Sequence, residues 1–321
     1  MARWRASSLA VEPGPAENPL GLGSRITYLA LMDFAKYLRF LPIKRFRHPP
    51  PRVAVLRLSG AIGSLGPLRQ GLTLAGLEDV IARAFALPRL SAVALVVNSP
   101  GGSPVQSELI ARRIRDLAGE KDVPVIAFCE DVAASGGYWL ALAGDEIYVS
   151  ENSIIGSIGV ISSSFGFTGL IERFGVERRV HTSGEHKSML DPFQAEDPKD
   201  VKRLVALQKE IHDSFKAWVS DRRGKRLTAS PKSLFSGEFW TGRRAEELGL
   251  VDGIGELRSH LRKRFGDQVQ LLSVKQPKRW WRRTLGGAGA ALPGAGLTPR
   301  DWAAGLMAAV EERALWGRFG L

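Results

Sequence analysis

A single serine, Ser135, stands between an apolar run and a helical pattern, in the stretch from Val125 to Ala141. Small residues surround it, which predicts a tight strand-to-helix turn with the hydroxyl exposed. Backbone N–H groups at the start of a helix have no partner inside the helix and can stabilise a developing negative charge. The pattern therefore predicts a nucleophile at Ser135 with hydrogen-bond donors beside it.

A second turn of the same kind carries Gly101 and Gly102, after the apolar run at 92–97. Taken alone it is either a phosphate-binding turn or an ordinary tight turn, and it contains neither G-x-G-x-x-G nor G-K-[ST]. Together, the two turns supply one nucleophile and two separated N–H donors. Acyl transfer through an oxyanion requires this combination.

Strands and helices must alternate to place the two turns side by side. Apolar patterning predicts strands at 53–58, 92–97, 123–129, 146–149, 159–163 and 176–182, and helices at 74–87, 104–118, 135–143 and 198–222, with a helical pair within 241–265. Ser103 with Gln106 predicts a capping box, and Pro104 fits the first helical position. This alternation predicts an α/β core with right-handed crossovers.

Five ordered motifs then give the chain a family resemblance: Asn98-Ser99-Pro100-Gly101-Gly102, Ala134-Ser135-Gly136-Gly137-Tyr138-Trp139, Gly156-Ser157-Ile158-Gly159-Val160, Phe239-Trp240-Thr241-Gly242-Arg243-Arg244-Ala245 and Leu248-Gly249-Leu250-Val251-Asp252. With these motifs the chain resembles the signal peptide peptidase A (SppA) family of serine peptidases, S49, over about residues 53–257. The resemblance implies a ClpP/crotonase-like spiral of ββα units. It also implies peptide hydrolysis by a serine–lysine dyad without metal or cofactor.

The resemblance assigns a role to each matching position. Ser135 corresponds to the nucleophile, Lys187 to the general base, and Ser157 to a serine that orients the lysine. Gly102 and Gly136 occupy the positions of the oxyanion donors, and Gly101 shapes the turn.

Chemistry places its own requirement on Lys187. An ordinary lysine has a pKa near 10.4, so only about one in 2,500 is neutral at pH 7. Lowering that pKa to roughly 7–8 requires a penalty of about 4 kcal/mol on the charged form, which a dry pocket can supply. His186 is the competing base, with His181 just upstream. Adjacent side chains on an extended segment face opposite ways, so only one of His186 and Lys187 can face Ser135, and the resemblance favours Lys187.

Composition limits the partners. The net charge of +12 and the pI near 10.1 favour anionic partners. The basic residues form no recognisable nucleic-acid-reading motif, so we expect no nucleic acid partner. The single cysteine, Cys129, lies in an apolar run and is expected to pack in the core. No histidine, cysteine and carboxylate cluster has metal-ligand spacing, so we expect no metal.

The two ends differ in composition from the middle, which predicts an N-terminal extension at 1–51, a peptidase domain at 52–274 and a tail at 275–321. Neither a signal peptide nor a clear transmembrane helix is visible, so we expect a bacterial cytoplasmic protein or one peripheral on the inner membrane. Amphipathic segments at 26–43 and 299–316 and a basic, tryptophan-containing stretch at 275–283 favour either contact with an anionic membrane or packing on the protein itself.

The expected function is a serine endopeptidase that cleaves signal-peptide-like, membrane-derived or other unfolded peptides. By resemblance it would assemble into a homo-oligomeric ring, with Lys187 reaching Ser135 of a neighbouring copy. Two alternatives remain open: a crotonase-type acyl-CoA enzyme and a catalytically silent ring that holds membrane partners.

Overall fold

The described residues contain eight strands, which form one mixed sheet: β1 Arg52–Ser59, β2 Leu90–Ser99, β3 Val125–Ala134, β4 Glu146–Val149, β5 Ile154–Gly156, β6 Phe239–Thr241, β7 Gly253–Ile254 and β8 Gln270–Ser273. The strand order is β6-β5-β3-β2-β1-β8, and β4 lies beside both β3 and β7. Every pair is parallel except β5 with β6.

Helices connect the strands: α1 Leu74–Phe85, α2 Pro104–Lys121, α3 Gly136–Ala141, α4 Thr168–Arg173, α5 Pro198–Arg223, α6 Pro231–Leu234, α7 Gly242–Glu247, α8 Leu257–Phe265 and α9 Pro299–Gly317. Parallel neighbours joined by helical crossovers confirm the predicted α/β class. The segment at 299–316, singled out in the sequence as amphipathic, lies within helix α9.

This computed structural model describes residues 49–64, 71–275 and 299–321. Residues 51–321 form one compact unit; residues 1–50 form another, which lies almost entirely outside the described ranges. The predicted amphipathic segment at 26–43 and most of the basic stretch at 275–283 also lie outside them. The three-part division of the chain therefore stays a prediction. Among the described helices, none combines the length and the apolar character needed to cross a bilayer.

The main core lies between the sheet and helices α1, α2, α3 and α5, and α8 packs on the other face. Strand β2 is therefore covered on both sides, and residues 92–97 are all buried. This explains why the sequence shows a continuous apolar run there rather than alternation. Cys129 packs in the main core as predicted, and burial raises the pKa of its thiol to about 12.

Strand β3 changes neighbours along its length, and this positions the turn that carries Ser135. Its first half pairs with β4, from Ile126 to Cys129, and its last three residues pair with β5. The register against β2 shifts between these halves. The end of β3 is thereby brought beside the end of β5.

The predicted strands at 159–163 and 176–182 are wrong, since both segments are irregular. Each segment has an exposed apolar residue and no neighbouring strand; Ile161 is 67% exposed and Val176 is 56% exposed. The sheet edge is instead formed by β6, which pairs with β5 and was not predicted. Short strands of this kind depend on distant pairing more than on local propensity.

The predicted cap of α2 is half confirmed. The Ser103 hydroxyl accepts a hydrogen bond from the Gln106 amide at 3.4 Å, but the Gln106 side chain accepts one from the Leu74 amide at 2.8 Å. The helix also continues past Gly119 to Lys121, and Asp122 ends it with φ of 51°.

A buried ion pair joins the end of α5 to the sheet. The Arg223 side chain, 2% exposed, lies 2.7 Å from the Asp252 carboxylate and donates to the Gly249 carbonyl at 2.8 Å. Burial alone would raise the pKa of Asp252, but the hydrogen bond and charge of Arg223, with the Ile147 amide, hold that pKa below its usual value.

We predict that Asp252→Asn lowers the free energy of unfolding by about 3–5 kcal/mol at pH 7, because it leaves the Arg223 charge buried without a partner. A depressed folded-state pKa gives stability that is present above the unfolded pKa of about 3.9 and is lost as the pH falls through the folded value. The difference between wild type and variant should therefore shrink below about pH 4. Urea unfolding from pH 7 to pH 3 measures this, with exposed Asp79→Asn as the control. A constant difference across that range would contradict the assignment.

Candidate active site

Ser135 lies at the turn between β3 and α3, with φ of 52° and ψ of −121°. A non-glycine residue in this region of backbone space costs of order 1–3 kcal/mol, so its surroundings must enforce it. The Ser135 amide donates to the Gly156 carbonyl at 2.8 Å, and its own carbonyl accepts from the Trp139 amide at 3.0 Å. The side chain makes no capping hydrogen bond to the helix. The backbone is held while the hydroxyl is left available.

The Gly101 turn lies directly against this serine. Gly101 is buried with φ of 103°, and a methyl group placed on it would come within 2.9 Å of both the Gly136 nitrogen and the Ser135 Cβ. Gly102 has φ of 141°, and a methyl group there would lie 2.1 Å from the Ile62 carbonyl oxygen. Neither position accommodates a side chain without moving the backbone.

Two amide donors remain available at this contact. The Ile62 amide donates to the Gly101 carbonyl, and the Ser103 amide donates to the Ile62 carbonyl, both at 2.8 Å. The Gly102 N–H takes part in neither bond. Gly136 is the first residue of α3, so its N–H has no partner within the helix. Within the described ranges, no acceptor is recorded for either group. The two amides are therefore free to bind an oxyanion.

Ser157 lies next to Ser135, because Ala134 and Gly156 are partners in the β3–β5 pair. It is 6% exposed, and its amide donates to the Glu238 carbonyl at 2.7 Å. Like Ser135 it has a positive φ, of 51°. Two strained serines thus end two neighbouring strands, and such strain marks candidate functional positions.

Lys187 is placed differently. It lies in an exposed turn of the segment 160–197, between α4 and α5, where its amide donates to the Gly184 carbonyl at 3.2 Å. For the residues that the structure describes, no hydrogen bond or ion pair joins its side chain to Ser135 or Ser157. His181 and His186 are also exposed, and the His186 ring accepts from Arg203 at 3.1 Å. Within the described residues, the structure therefore brings together Ser135, Ser157 and the three glycines, and it leaves the Lys187 side chain exposed without a hydrogen bond to either serine.

The nearby carboxylates have other partners. Glu130 pairs with Arg57, Asp131 accepts from Asn98, Asp145 pairs with Arg115 and Arg222, and Glu146 pairs with Arg264. They stabilise turns and helix ends and orient no catalytic histidine. Within the described ranges, no group of three histidine, cysteine or acidic residues could hold a metal ion.

Sequence reasoning missed one feature of the site, which is the contact of α5 with the Ser157 turn and with α3. The His212 ring lies 3.1 Å from the Ile158 carbonyl, directly after Ser157. The Trp218 indole donates to the Trp139 carbonyl at 3.3 Å, on the helix that Ser135 begins. Neither residue lies in a motif, so no local signal marked them.

Comparison with known proteins identifies the family of this chain. The model of peptidase family S49 matches residues 118–270. A Synechocystis protein named as a candidate protease is 31% identical over 247 residues, covering 74% of this chain and 83% of that protein. Protease 4 of Haemophilus influenzae is 32% identical over 238 residues, covering 73% of this chain and 38% of that protein.

A Brucella abortus protein is 50% identical over 330 residues and aligns with 100% of this chain. It is named as the Na⁺/H⁺ antiporter NhaA, and this chain spans 43% of its length. The name applies to the whole of that longer protein.

The chain has an α/β core in which a serine in a strained strand-to-helix turn lies against a second glycine turn. This is the combination that the sequence motifs predict for a serine peptidase. The chain belongs to peptidase family S49, the SppA family. Membership confirms the family resemblance and the ClpP/crotonase-like fold class that it implied.

We predict that Gly102→Ala lowers peptide hydrolysis at least tenfold, because its methyl group would displace Ile62 and shift the amide that faces the oxyanion. Gly60→Ala is the matched control: it also has a positive φ, of 112°, but has nothing within 4 Å of the added methyl group. It should lower stability by about 1 kcal/mol and leave kcat unchanged. Equal effects on kcat would show that the position of the Gly102 amide is unimportant.

Proposed function

We propose that this protein is a serine peptidase with a Ser135–Lys187 dyad. The observation that carries the proposal is the strained Ser135 turn, which has no capping hydrogen bond from its hydroxyl, lies against the Gly101 turn and has Ser157 beside it. Family S49 membership supports peptide bonds as the substrate.

Each group then has one role in the reaction. Neutral Lys187 takes the Ser135 proton as the oxygen attacks the peptide carbonyl, and Ser157 orients the lysine amine. The Gly102 and Gly136 amides stabilise the tetrahedral oxyanion. Collapse releases the amine half of the peptide with a proton from Lys187, and water activated by Lys187 hydrolyses the acyl-enzyme.

Lys187 is supplied by a neighbouring copy of the chain in this proposal. The 160–197 segment that carries it also exposes large apolar side chains, among them Phe165 at 77% and Phe174 at 73%. Monomeric proteins rarely expose such a group of side chains, so we expect a second copy of the chain to bury them. Burial against that copy would also provide the dry surroundings that a neutral lysine needs. The assembly is the expected homo-oligomeric ring.

The substrate is an extended peptide, bound by strand addition and read as an unfolded chain. Signal-peptide-like and other membrane-derived segments fit this class because they are short and unstructured once released. A ring with internal sites would exclude folded proteins.

The dyad is tested with a serine-reactive fluorophosphonate probe. We expect labelling at Ser135 in the wild type and its loss in Ser135→Ala and Lys187→Ala, with Lys199→Ala as an exposed lysine control that labels normally. Labelling that survives Lys187→Ala would point to another base, with His186 first. A crotonase-type enzyme or a silent scaffold would leave the wild type unlabelled.

The shared site is tested by mixing subunits. Ser135→Ala and Lys187→Ala are each inactive alone, and refolding them together should restore part of the activity, because some interfaces then pair an intact Ser135 with an intact Lys187. Different affinity tags on the two variants, followed by tandem purification, select the mixed oligomers. Mixed oligomers without activity would place both groups of the dyad in the same chain.

We also propose peripheral contact with an anionic membrane through the stretch 275–283, which combines Lys275, Lys278, Arg279, Arg282 and Arg283 with Trp280 and Trp281. Each basic residue near an anionic surface contributes about 1 kcal/mol, and tryptophan favours the interface. The antiporter name of the Brucella relative supports a membrane setting.

Co-sedimentation with vesicles tests the membrane contact. The full chain should pellet with anionic vesicles and not with neutral ones, and a chain ending at Val274 should stay in solution. Equal pelleting of the two chains would rule out the tail as the membrane-binding element.

A further inference from the structure

One face of α5 contacts the Ser157 turn and the helix that follows Ser135. Its first contact is His212 on the Ser157 side, and its later contacts lie on α3, the helix that begins after Ser135. Phe215 stacks on Trp139 with ring centroids 4.6 Å apart, and Arg222 donates to the Leu142 and Gly144 carbonyls at 2.9 Å. The helix therefore packs against the Ser157 turn and against α3, which are distant in sequence.

The contact at His212 has a defined direction. A carbonyl oxygen can only accept, so the His212 Nε2 carries the hydrogen and donates to the Ile158 oxygen over 3.1 Å. Ile158 is fully buried, with 0% exposure, and follows the strained Ser157. The turn is otherwise fixed by two backbone bonds, from Ser157 to Glu238 at 2.7 Å and from Gly159 to Ser157 at 2.9 Å.

We propose that His212 is a positioning residue that acts through Ser157, holding the Ile158 carbonyl so that the Ser157 hydroxyl points at the catalytic amine. This inference rests on the proposed function, since it needs Ser157 to orient Lys187. It adds to that function a residue outside the peptidase motifs. Because both the neutral ring protonated at Nε2 and the charged ring donate from this nitrogen, His212 acts here as a fixed donor.

The test compares kcat for peptide hydrolysis in full-length variants. His212→Leu removes the donor and should lower kcat by about tenfold to a hundredfold with little change in KM, since small displacements of catalytic groups have effects of this size. His212→Gln places an amide donor at a similar distance and should restore most of kcat. Val219 is a buried α5 residue of the main core, with 0% exposure. The Val219→Ala variant controls for general loosening of the helix and should keep kcat near the wild-type value.

A double-mutant cycle with Ser157→Ala decides whether His212 acts through Ser157. If it does, adding His212→Leu to Ser157→Ala causes no further loss, because the group that was positioned is already absent. The proposal is overturned if the two losses multiply in the double variant. It is also overturned if His212→Leu keeps full activity, or if His212→Leu loses activity while Ser157→Ala is fully active. If His212 only stabilised helix α5, kcat would fall to the same extent in His212→Gln and in Val219→Ala. Failure of the proposed function gives a different result, which is hydrolysis that survives Ser135→Ala.

Discussion

The contact between the Gly101 turn and the start of α3 is the constraint on which the site depends. The space for a methyl group at Gly101 is already filled by the Gly136 nitrogen and the Ser135 Cβ, at 2.9 Å. This close approach brings two amides from separate turns to one place, beside a serine whose backbone is held at a positive φ. A preorganised pair of donors needs no reorganisation when charge develops, which is the main advantage of an oxyanion hole. The parallel sheet makes the contact possible, since β2 and β3 end at the same edge.

Rigidity is distributed unevenly around this contact. Gly101, Gly136 and Ser157 are buried at the ends of the strands and Ser135 is half-buried, whereas Lys187 lies in an exposed segment. The division has a chemical consequence, because a serine needs fixed donors while a lysine base needs removal from water. The first requirement is met by folding of one chain. Removal of the lysine from water would come from assembly of several copies, so isolated subunits would be inactive until they associate.

Arginine has a structural role here that the net charge alone does not indicate. Arg222 donates to carbonyls at the end of α3, where the helix dipole favours a positive group, and Arg223 forms the buried pair with Asp252. These guanidinium groups suit such positions because they present several donors in a fixed plane. Part of the basic composition thus stabilises the fold around the site, and the basic stretch at 275–283 remains the part that favours an anionic surface.

The sequence by itself determined the elements whose signals are local. Burial of a strand on both faces, helix capping and a positive φ each favour particular residue types at or near the position concerned. For this reason the sequence predicted the apolar runs of the central strands, the Ser103 cap and the two glycine turns. The false strands at 159–163 and 176–182 and the missing β6 have the opposite cause: short strands are decided by a partner far away in the chain. Only the tertiary structure placed Ser157 beside Ser135, set His212 against the Ile158 carbonyl and left Lys187 exposed. These relations depend on packing between distant segments, for which a local pattern carries no information.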